Sequence, residues 1–173
     1  MKKVIYLAAL TVLFGCAKEE KKKAFEMDLN LTGEMLQVNT QTVIQDEANA
    51  NNFYSKVDSI SKYGYGYKLI LPDSLKESNL KVILTADVKE TESTTGELDI
   101  SINESNMNTL FWGFSPMNKH IKQLNTWTSI KDSVLIPADK NKKSGSSLFI
   151  FSSKQIGKGA FCVDNFKVKI IKQ

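Results

Sequence analysis

Residues 80–90 have the sequence LKVILTADVKE, in which apolar side chains recur at every second position. The apolar residues of one parity are Leu80, Val82, Leu84, Ala86 and Val88. Successive side chains of a β-strand point to opposite faces, so a period of two predicts a strand with one buried face. This stretch therefore indicates a protein built from β-strands.

The same period recurs along most of the chain. Residues 25–31 (FEMDLNL) and 98–103 (LDISIN) alternate in this way. Further strands are predicted at 110–114, 127–136, 147–152 and 160–171, separated by turn signals at 72–74, 93–96, 116–118 and 139–145. Outside the N-terminal leader, only residues 43–52 leave open whether a helix forms. Eight or so strands predict an all-β fold, a two-sheet antiparallel β-sandwich over residues 25–173.

Composition indicates one domain and excludes one class of partner. With 173 residues, of which 42% are hydrophobic, the chain is long enough for one domain with a full core. All 23 basic residues are lysine and 19 acidic residues offset them, for a net charge of +4. Removal of residues 1–15 takes away two lysines and leaves +2. Without arginine or a basic stripe, nucleic acid is not an expected partner.

The N-terminus has the layout of a lipoprotein signal peptide. Residues 1–15 place two lysines before an apolar run that is too short for a permanent membrane span. The segment LFGC at 13–16 resembles a bacterial lipobox, in which the cysteine is lipidated and becomes the new N-terminus. The alternative is a plain signal peptide cut elsewhere. Lipidation at Cys16 would make residues 16–24 a charged, disordered tether and the membrane a partner.

The predicted location follows from the residues behind the lipid. The segment KEE at 18–20 resembles the export signal that sends lipoproteins of the Bacteroidota type to the outer face of the outer membrane. We therefore expect a lipid-anchored protein of the outer membrane that is exposed on the cell surface.

Cysteine and histidine are too few for common catalytic or metal sites. If Cys16 carries lipid, Cys162 has no partner for an internal disulfide, and its apolar neighbours predict a small buried hydrophobe. His120 is the single histidine and lies in a turn-like stretch. A nucleophile paired with a base, or a site with several histidines, is therefore not indicated. We expect the protein not to be an enzyme.

The sequence YGYGY at 63–67 allows two interpretations. Tyr63, Tyr65 and Tyr67 share a parity with Leu69 and Leu71, so simple alternation places the tyrosines in the core. Glycine within a strand also marks bulges, and a bulge there would turn a tyrosine to the other face. In that case Tyr63 or Tyr65 would serve as a platform for a flat ligand.

From about residue 48 onward the chain resembles the jelly-roll carbohydrate-binding modules attached to many bacterial xylanases and cellulases, which have a galactose-binding-like fold. The segments that carry the likeness are NNFYSKVDSISKYGYGYKL at 51–69, LKVILTADVK at 80–89, the Trp112 strand after LDISI, the stretch from Trp127-Thr128 through SVLIP, and FCVDNFKVKII at 161–171. The resemblance implies carbohydrate binding and a structural calcium ion. It implies Asp164 as a calcium ligand, with an N-terminal oxygen such as that of Glu26; the alternative is that Asp164 caps a bulge.

Candidate sugar contacts follow from this resemblance and from the strand pattern. Aromatic rings stack on sugars while polar groups bind the hydroxyls, and Trp112 joins Tyr63 and Tyr65 as ring candidates. Alternation with Leu110 and Phe114 favours burial of Trp112, and Trp127 is predicted to be core. Asp99, Ser101 and Asn103 alternate with apolar residues and should face outward, where they could line a concave cleft with Asp99 and Asn103 as sugar-binding residues. The alternative is an ordinary polar outer face.

Two functions stay open from the sequence. The first is a non-catalytic surface lipoprotein that binds an oligo- or polysaccharide. The second is a structural or protein-interacting outer-membrane lipoprotein without a sugar site. Glycosidase chemistry ranks below both, because no carboxylate pair with suitable spacing can be identified.

Overall fold

A computed structural model describes residues 24–28, 37–92, 95–142, 145–155 and 159–173. The predicted signal peptide (1–15), Cys16 and the tether through residue 23 lie outside the described residues. Ala24, the last residue of the predicted tether, begins the first strand. Within the described ranges, no helix has the length and apolar character needed to cross a membrane.

The described residues form eleven strands. They are β1 (Ala24–Asp28), β2 (Gln37–Val38), β3 (Val43–Asp46), β4 (Asn49–Val57), β5 (Tyr63–Ile70), β6 (Leu80–Glu90), β7 (Gly96–Asn103), β8 (Thr109–Pro116), β9 (Thr128–Ile136), β10 (Ser147–Lys154) and β11 (Phe161–Lys172). Short 3-10 turns at Asp73–Leu75, Met117–Lys119 and Ala138–Lys140 follow prolines. The predicted strands at 80–88, 98–103, 110–114, 127–136, 147–152 and 160–171 are confirmed.

Two antiparallel sheets pack face to face. The six-stranded sheet has the order β3-β4-β11-β6-β9, with β1 also paired to β11, and the five-stranded sheet has the order β2-β5-β10-β7-β8. From β4 to β11 each connection crosses between the sheets except the β7–β8 hairpin, which is the strand arrangement of a jelly roll. The predicted two-sheet antiparallel sandwich is confirmed.

The core lies between the two inner faces. Leu80, Val82 and Leu84 of β6 are fully buried, and they face Leu98 and Ile100 of β7 in one hydrophobic cluster. Phe161, Val163, Phe166, Val168 and Ile170 of β11 complete the central layer. The side chains between these buried residues of β6 point to the outer side of the sheet, so the period of two in the sequence matches the observed burial.

A bulge in β11 changes which parity faces the core. The pairing with β6 shifts between Asp164 and Lys167, so that β11 carries one extra residue there. Asn165 takes a left-handed conformation with φ of 48° at this point. As a result the buried residues change from odd to even numbers between Val163 and Phe166.

The stretch at 43–52, for which the sequence left a helix open, is a hairpin. β3 and β4 pair through Val43 with Ser55 and Ile44 with Tyr54. The Asp46 carboxylate accepts a hydrogen bond of 3.0 Å from the Ala48 backbone N–H and closes the turn. Pairing between β3 and β4 therefore provides hydrogen-bond partners for the backbone of this stretch.

Candidate functional site

The outer face of the five-stranded sheet is lined with aromatic side chains. On β10, Leu148 and Ile150 point into the core, so Phe149 and Phe151 point outward. On β8, Trp112 pairs with Ser101 and Phe114 pairs with Asp99, which places both rings on the outer side of the sheet. We call this surface the aromatic face and define it by Tyr63, Trp112, Phe114, Phe149 and Phe151.

A bulge in β5 places Tyr63 on the aromatic face. Gly66 pairs with Phe151 and Tyr63 pairs with Ser153, so two residues of β5 lie opposite Ser152. Tyr65 is 4% exposed on the core side, whereas Tyr63 is 53% exposed. The prediction that Tyr65 is a core residue is confirmed. The same parity argument was wrong for Tyr63, because the bulge changes the parity between them.

Gly64 makes the bulge sterically feasible. A Cβ atom added to Gly64 would lie 2.2 Å from Ser152 Oγ and 2.7 Å from Val57 Cγ2, which are impossible contacts. The Tyr65 backbone N–H meanwhile donates a 2.9 Å hydrogen bond to Ser55 Oγ across the sandwich. The glycine and the serine hydroxyl together hold β5 in the conformation that exposes Tyr63.

A cavity of about 260 Å³ opens on the aromatic face. Tyr63, Trp112, Phe149 and Phe151 provide its rings, and Ser101 and Asn103 provide polar groups. Val38, Asn39 and Met107 complete the lining. The Tyr63 and Trp112 rings meet Phe151 edge-on, with centroid separations of 6.0 and 5.5 Å. Such edge-to-face contacts fix ring orientation, so the cavity walls are held in place by ring-on-ring packing.

The polar row of β7 lies beneath this cavity. Asp99, Ser101 and Asn103 point to the outer side, as predicted, but all three are buried. Asp99 and Ser101 lie between the rings of β8 and β10 across the sheet, whereas Asn103 pairs with Thr109 and Ser147. The interpretation as an ordinary solvent-facing polar row was therefore wrong, whereas Ser101 and Asn103 do line the cavity. Asn103 Nδ2 donates to Ser101 Oγ at 3.4 Å, and Asn103 Oδ1 has no protein partner.

Asp99 is the most unusual group of this row. It has no exposed surface, and neither carboxylate oxygen meets the geometry of a hydrogen bond. Burial raises the pKa of Asp99 to about 7, and the Ser153 hydroxyl and Trp112 indole lie near enough to offset part of that effect. A buried carboxylate without partners is costly. Such a group is a candidate functional residue when it lies beside a cavity.

The two tryptophans differ from expectation. Trp112 is 44% exposed on the aromatic face, although alternation with Leu110 and Phe114 favoured burial. Trp127, predicted to be core, is 37% exposed. It lies just before β9, meets Tyr54 edge-on at 5.7 Å and carries Lys89 Nζ 4.8 Å above its ring. The apolar pattern around each residue did not reveal which side of its own sheet it occupies.

The strand register separates Asp164 from Glu26 along β11. The strand register places Glu26 opposite Lys169, five residues along β11 from Asp164, or about 16 Å at ~3.3 Å per residue. Asp164 Oδ1 instead accepts a 2.7 Å hydrogen bond from the Asn165 backbone N–H at the β11 bulge, and Oδ2 accepts one from Asn52. The alternative, in which Asp164 caps a bulge, is the arrangement observed.

Within the described ranges, no group of three or more His, Cys, Asp or Glu residues could hold a metal ion. Calcium takes six to eight oxygen ligands, which include carboxylates and backbone carbonyls. Calcium binding by the whole chain stays a prediction, and the melting temperature of protein purified with calcium, before and after EDTA, tests it.

Ser115, Asp132 and His120 meet on β8 and β9 in an order unsuited to nucleophilic catalysis. The Ser115 hydroxyl donates to Asp132 Oδ2 at 2.7 Å, and His120 Nε2 lies 3.7 Å from the same oxygen. Partial burial alone would raise the pKa of Asp132, but bonds from Ser115 and the Ser133 N–H, with His120 nearby, lower it. The carboxylate rather than the imidazole accepts the hydrogen bond of the serine hydroxyl, so the serine is not paired with the histidine as a nucleophile with its base.

Cys162 is a buried free thiol, as predicted. Burial raises its pKa, against the opposing influence of Lys89 and Lys56. The thiol therefore stays protonated and unreactive near neutral pH.

Three rings of the aromatic face escaped the sequence analysis. Phe149 and Phe151 lie in the run LFIF at 148–151, where every residue is apolar and no parity stands out. Phe114 has the same parity as Trp112 and was taken as evidence for its burial. These rings could have been assigned to the outer side only by aligning their strands with β7, where Leu98, Ile100 and Ile102 mark the core side. That alignment requires knowing that β7 pairs with β8 and β10.

Comparison with known proteins yields only distant structural matches. No protein-family model and no curated protein matches the sequence. The VP2 subviral particle of infectious bursal disease virus matches with a TM-score of 0.48 and 9% identity, over 88% of this chain and 32% of VP2. The chain thus spans about a third of the length of that protein.

Two carbohydrate-binding modules are also similar. The CBM22-1 xylan-binding domain from Paenibacillus barcinonensis Xyn10C matches with a TM-score of 0.47 and 14% identity, over 88% of this chain and 98% of that domain. Family 16 Carbohydrate Binding Module-2 matches with a TM-score of 0.43 and 16% identity, over 73% and 84%.

Proposed function

We propose that this protein is a non-catalytic lipoprotein that binds carbohydrate on its aromatic face. The observation that carries the proposal is the cavity in which Tyr63, Trp112, Phe149 and Phe151 surround the polar groups of Ser101 and Asn103. Sites for small ligands combine an apolar, concave wall with a few convergent polar groups. The apolar face of a sugar ring and its hydroxyl groups match these two features.

The exposed rings supply the stacking surface. Tyr63, Trp112 and Phe114 each expose about half of their surface, although exposed aromatic clusters are uncommon on proteins without a partner. By analogy with base stacking, each ring is worth about 1–3 kcal/mol of binding energy. Two rings in contact with a saccharide would thus give a weak to moderate affinity, typical of a module that retains rather than transforms its ligand.

Membrane anchoring is the second part of the proposal. The two lysines, the apolar run and the small residue ahead of Cys16 support lipidation at this cysteine. The charged residues that follow support exposure at the cell surface. Metabolic labelling with a clickable fatty acid should mark the wild-type protein and leave Cys16→Ala unlabelled. Equal labelling of both would remove the anchor from the proposal.

A binding experiment with matched tryptophan variants tests the carbohydrate function. Full-length protein in detergent is applied to a glycan array and to gels that contain soluble polysaccharides. Trp112→Ala should lose retention, while Trp127→Ala, which removes an equally large exposed ring from the other sheet, should keep it. Equal loss in both variants would contradict the assignment to the aromatic face. Absence of any glycan ligand would favour a structural or protein-interacting lipoprotein.

A further inference from the structure

The polar atoms buried beneath the aromatic face are mostly acceptors without donors. Asn103 Oδ1 and both oxygens of Asp99 lack a partner with hydrogen-bond geometry, although the Ser153 hydroxyl and the Trp112 indole lie near Asp99 and lower the pKa of its carboxyl. Asp99, Ser101 and Asn103 follow one another on the outer side of β7, so these acceptors lie in one line. Because unpaired buried polar groups are costly, the site favours a ligand that brings donors or positive charge.

The rings around the cavity also favour positive charge. The face of an aromatic ring is electron-rich and attracts ammonium groups that approach within about 6 Å of its centre. The protein already uses this surface in that way, because Lys68 Nζ lies 5.4 Å from the centre of the Phe149 ring. Tyr63, Trp112 and Phe151 remain as cavity rings to which no cation of the described residues is assigned.

Asp99 is placed to supply the counter-charge. It pairs across the sheet with Phe151 and Phe114, and its carboxylate lies near the Trp112 indole. Two of those rings line the cavity, so the carboxylate lies directly behind the cavity wall. Electrostatic attraction through a ring layer in a region of low dielectric is stronger than in water.

We propose that the cavity takes the ammonium group of an amino-bearing saccharide, with Tyr63, Trp112 and Phe151 in contact with the cation and Asp99 as its counter-ion. The saccharide part rests on the proposed function, whereas the ammonium part follows from the rings and the carboxylate. An acidic saccharide is excluded by the same arrangement, because a second carboxylate would face Asp99 across the rings.

The charged state of Asp99 makes binding dependent on pH. Its pKa of about 7 means that the carboxylate gains its charge as the pH rises through neutrality. The other charged or titratable groups facing it are Glu97 on β7 and Tyr63 and Lys68 on β5; the facing residues of β8 and β10 do not titrate. Affinity for a cation of fixed charge should therefore increase above pH 7 and decrease below it.

The first experiment isolates the ammonium group. Choline and its neutral carbon isostere, in which carbon replaces the quaternary nitrogen, are titrated against the full-length protein while tryptophan fluorescence is recorded. Choline should bind roughly tenfold tighter than the isostere, as expected for a desolvated cation–π contact. The affinity for choline should rise about tenfold between pH 5.5 and 8.5, which corresponds to a change of about one unit in the pKa of Asp99 when choline binds.

Asp99→Asn is the diagnostic variant, and Asp87→Asn on the other sheet is its control. Asp99→Asn should abolish the pH dependence and lower the affinity for choline at pH 8.5 about tenfold, to the wild-type value at pH 5.5, without loss of the folded state. Asp87→Asn should behave like wild type in both respects. Equal affinity for choline and the isostere, or an unchanged pH profile in Asp99→Asn, would overturn the ammonium site.

The second experiment uses saccharides of one linkage and separates this inference from the proposed function. Oligomers of glucosamine, glucose and a uronic acid are compared by calorimetry, and the order of affinity should be amino, neutral, acidic. If the neutral and amino oligomers bind equally well, the ammonium inference fails and carbohydrate binding stands. If choline is preferred but no oligomer binds, carbohydrate binding fails and the ammonium site stands.

Discussion

Asp99 and Asp87 occupy equivalent positions on the two sheets yet have opposite surroundings. Each lies at a central position of its sheet and points to the outer side. Asp87 accepts hydrogen bonds from the Ser129 hydroxyl and from Asn165 Nδ2, the latter at 2.8 Å. Asp99 is covered by rings, and the Ser153 hydroxyl and Trp112 indole near it do not reach hydrogen-bond geometry. A carboxylate with its donors in place stabilises a fold, whereas a covered carboxylate without them is retained at a cost.

The rest of each outer face follows the same division. Lys81, Lys89 and Lys131 lie on the outer side of the six-stranded sheet, where long polar side chains cover the strands. On the five-stranded sheet the corresponding positions are aromatic. The outer side of the six-stranded sheet therefore has the polar character of a solvated surface, whereas the outer side of the five-stranded sheet is apolar and aromatic. The following substitutions test this division.

The largest expected effect separates the inner and outer sides of β5. Tyr65→Ala should lower the free energy of unfolding by about 3–5 kcal/mol, because it leaves a cavity in the core. Tyr63→Ala, two residues away across the bulge, should cost less than about 1 kcal/mol. Urea denaturation of both variants at one pH measures the difference. Similar losses in the two variants would mean that the bulge does not divide the two tyrosines.

The second prediction concerns stability as a function of pH. Because the pKa of Asp99 is raised to about 7, the folded state keeps a proton that the unfolded chain releases near its ordinary pKa of 3.8. Stability contributed by this group therefore falls as the pH rises from about 4 to 7, by up to about 4 kcal/mol. Asp99→Asn should lose this slope and be more stable than wild type at pH 8 by about 2–4 kcal/mol.

Urea denaturation at pH 4.5 and pH 8 for wild type, Asp99→Asn and Asp87→Asn provides the comparison. The control variant removes an outer-face carboxylate of the other sheet and leaves Asp99 in place, so the difference that Asp99 produces between the two pH values should remain. If the Asp99→Asn protein shows the wild-type difference as well, Asp99 does not hold a proton in the folded state.

The third prediction is a change in affinity with little change in stability. Trp112→Ala should weaken saccharide binding by about 1–3 kcal/mol, or roughly five- to a hundredfold, through loss of one stacking ring. The unfolding free energy should change by less than about 1 kcal/mol, because almost half of the ring is exposed. Calorimetric titration with the best glycan ligand measures the first effect. Full affinity in Trp112→Ala would place the binding surface elsewhere.

The smallest effect is expected on the opposite sheet. Trp127→Ala removes the contacts with Tyr54 and Lys89, which at an exposed site are worth about 0.5–1 kcal/mol. Ligand affinity should stay within twofold of wild type. A strong loss of affinity in this variant would show that the six-stranded sheet also presents a binding surface, and the contrast between the two faces would no longer hold.

The predictability of the site differs from residue to residue. The parity of Asp99 and Asn103 was correct from the sequence, since they alternate with Leu98, Ile100 and Ile102. Their burial was not predictable, because it depends on side chains of β8 and β10, strands separated from β7 by at least five residues of chain. Tyr63 required the register of β5 against β10, and Trp127 required its position beside Tyr54.

The sequence by itself determined the all-β class, most strand positions and the core parity, because these depend on the period of two within single strands. Tertiary structure decided which outer face is aromatic, since the side chains that surround and bury a residue of a sheet belong to the neighbouring strands rather than to its own. It also decided the two parity changes, because a bulge is defined by the count of residues against a partner strand. The unpaired carboxylate of Asp99 arises only where those non-local pairings meet.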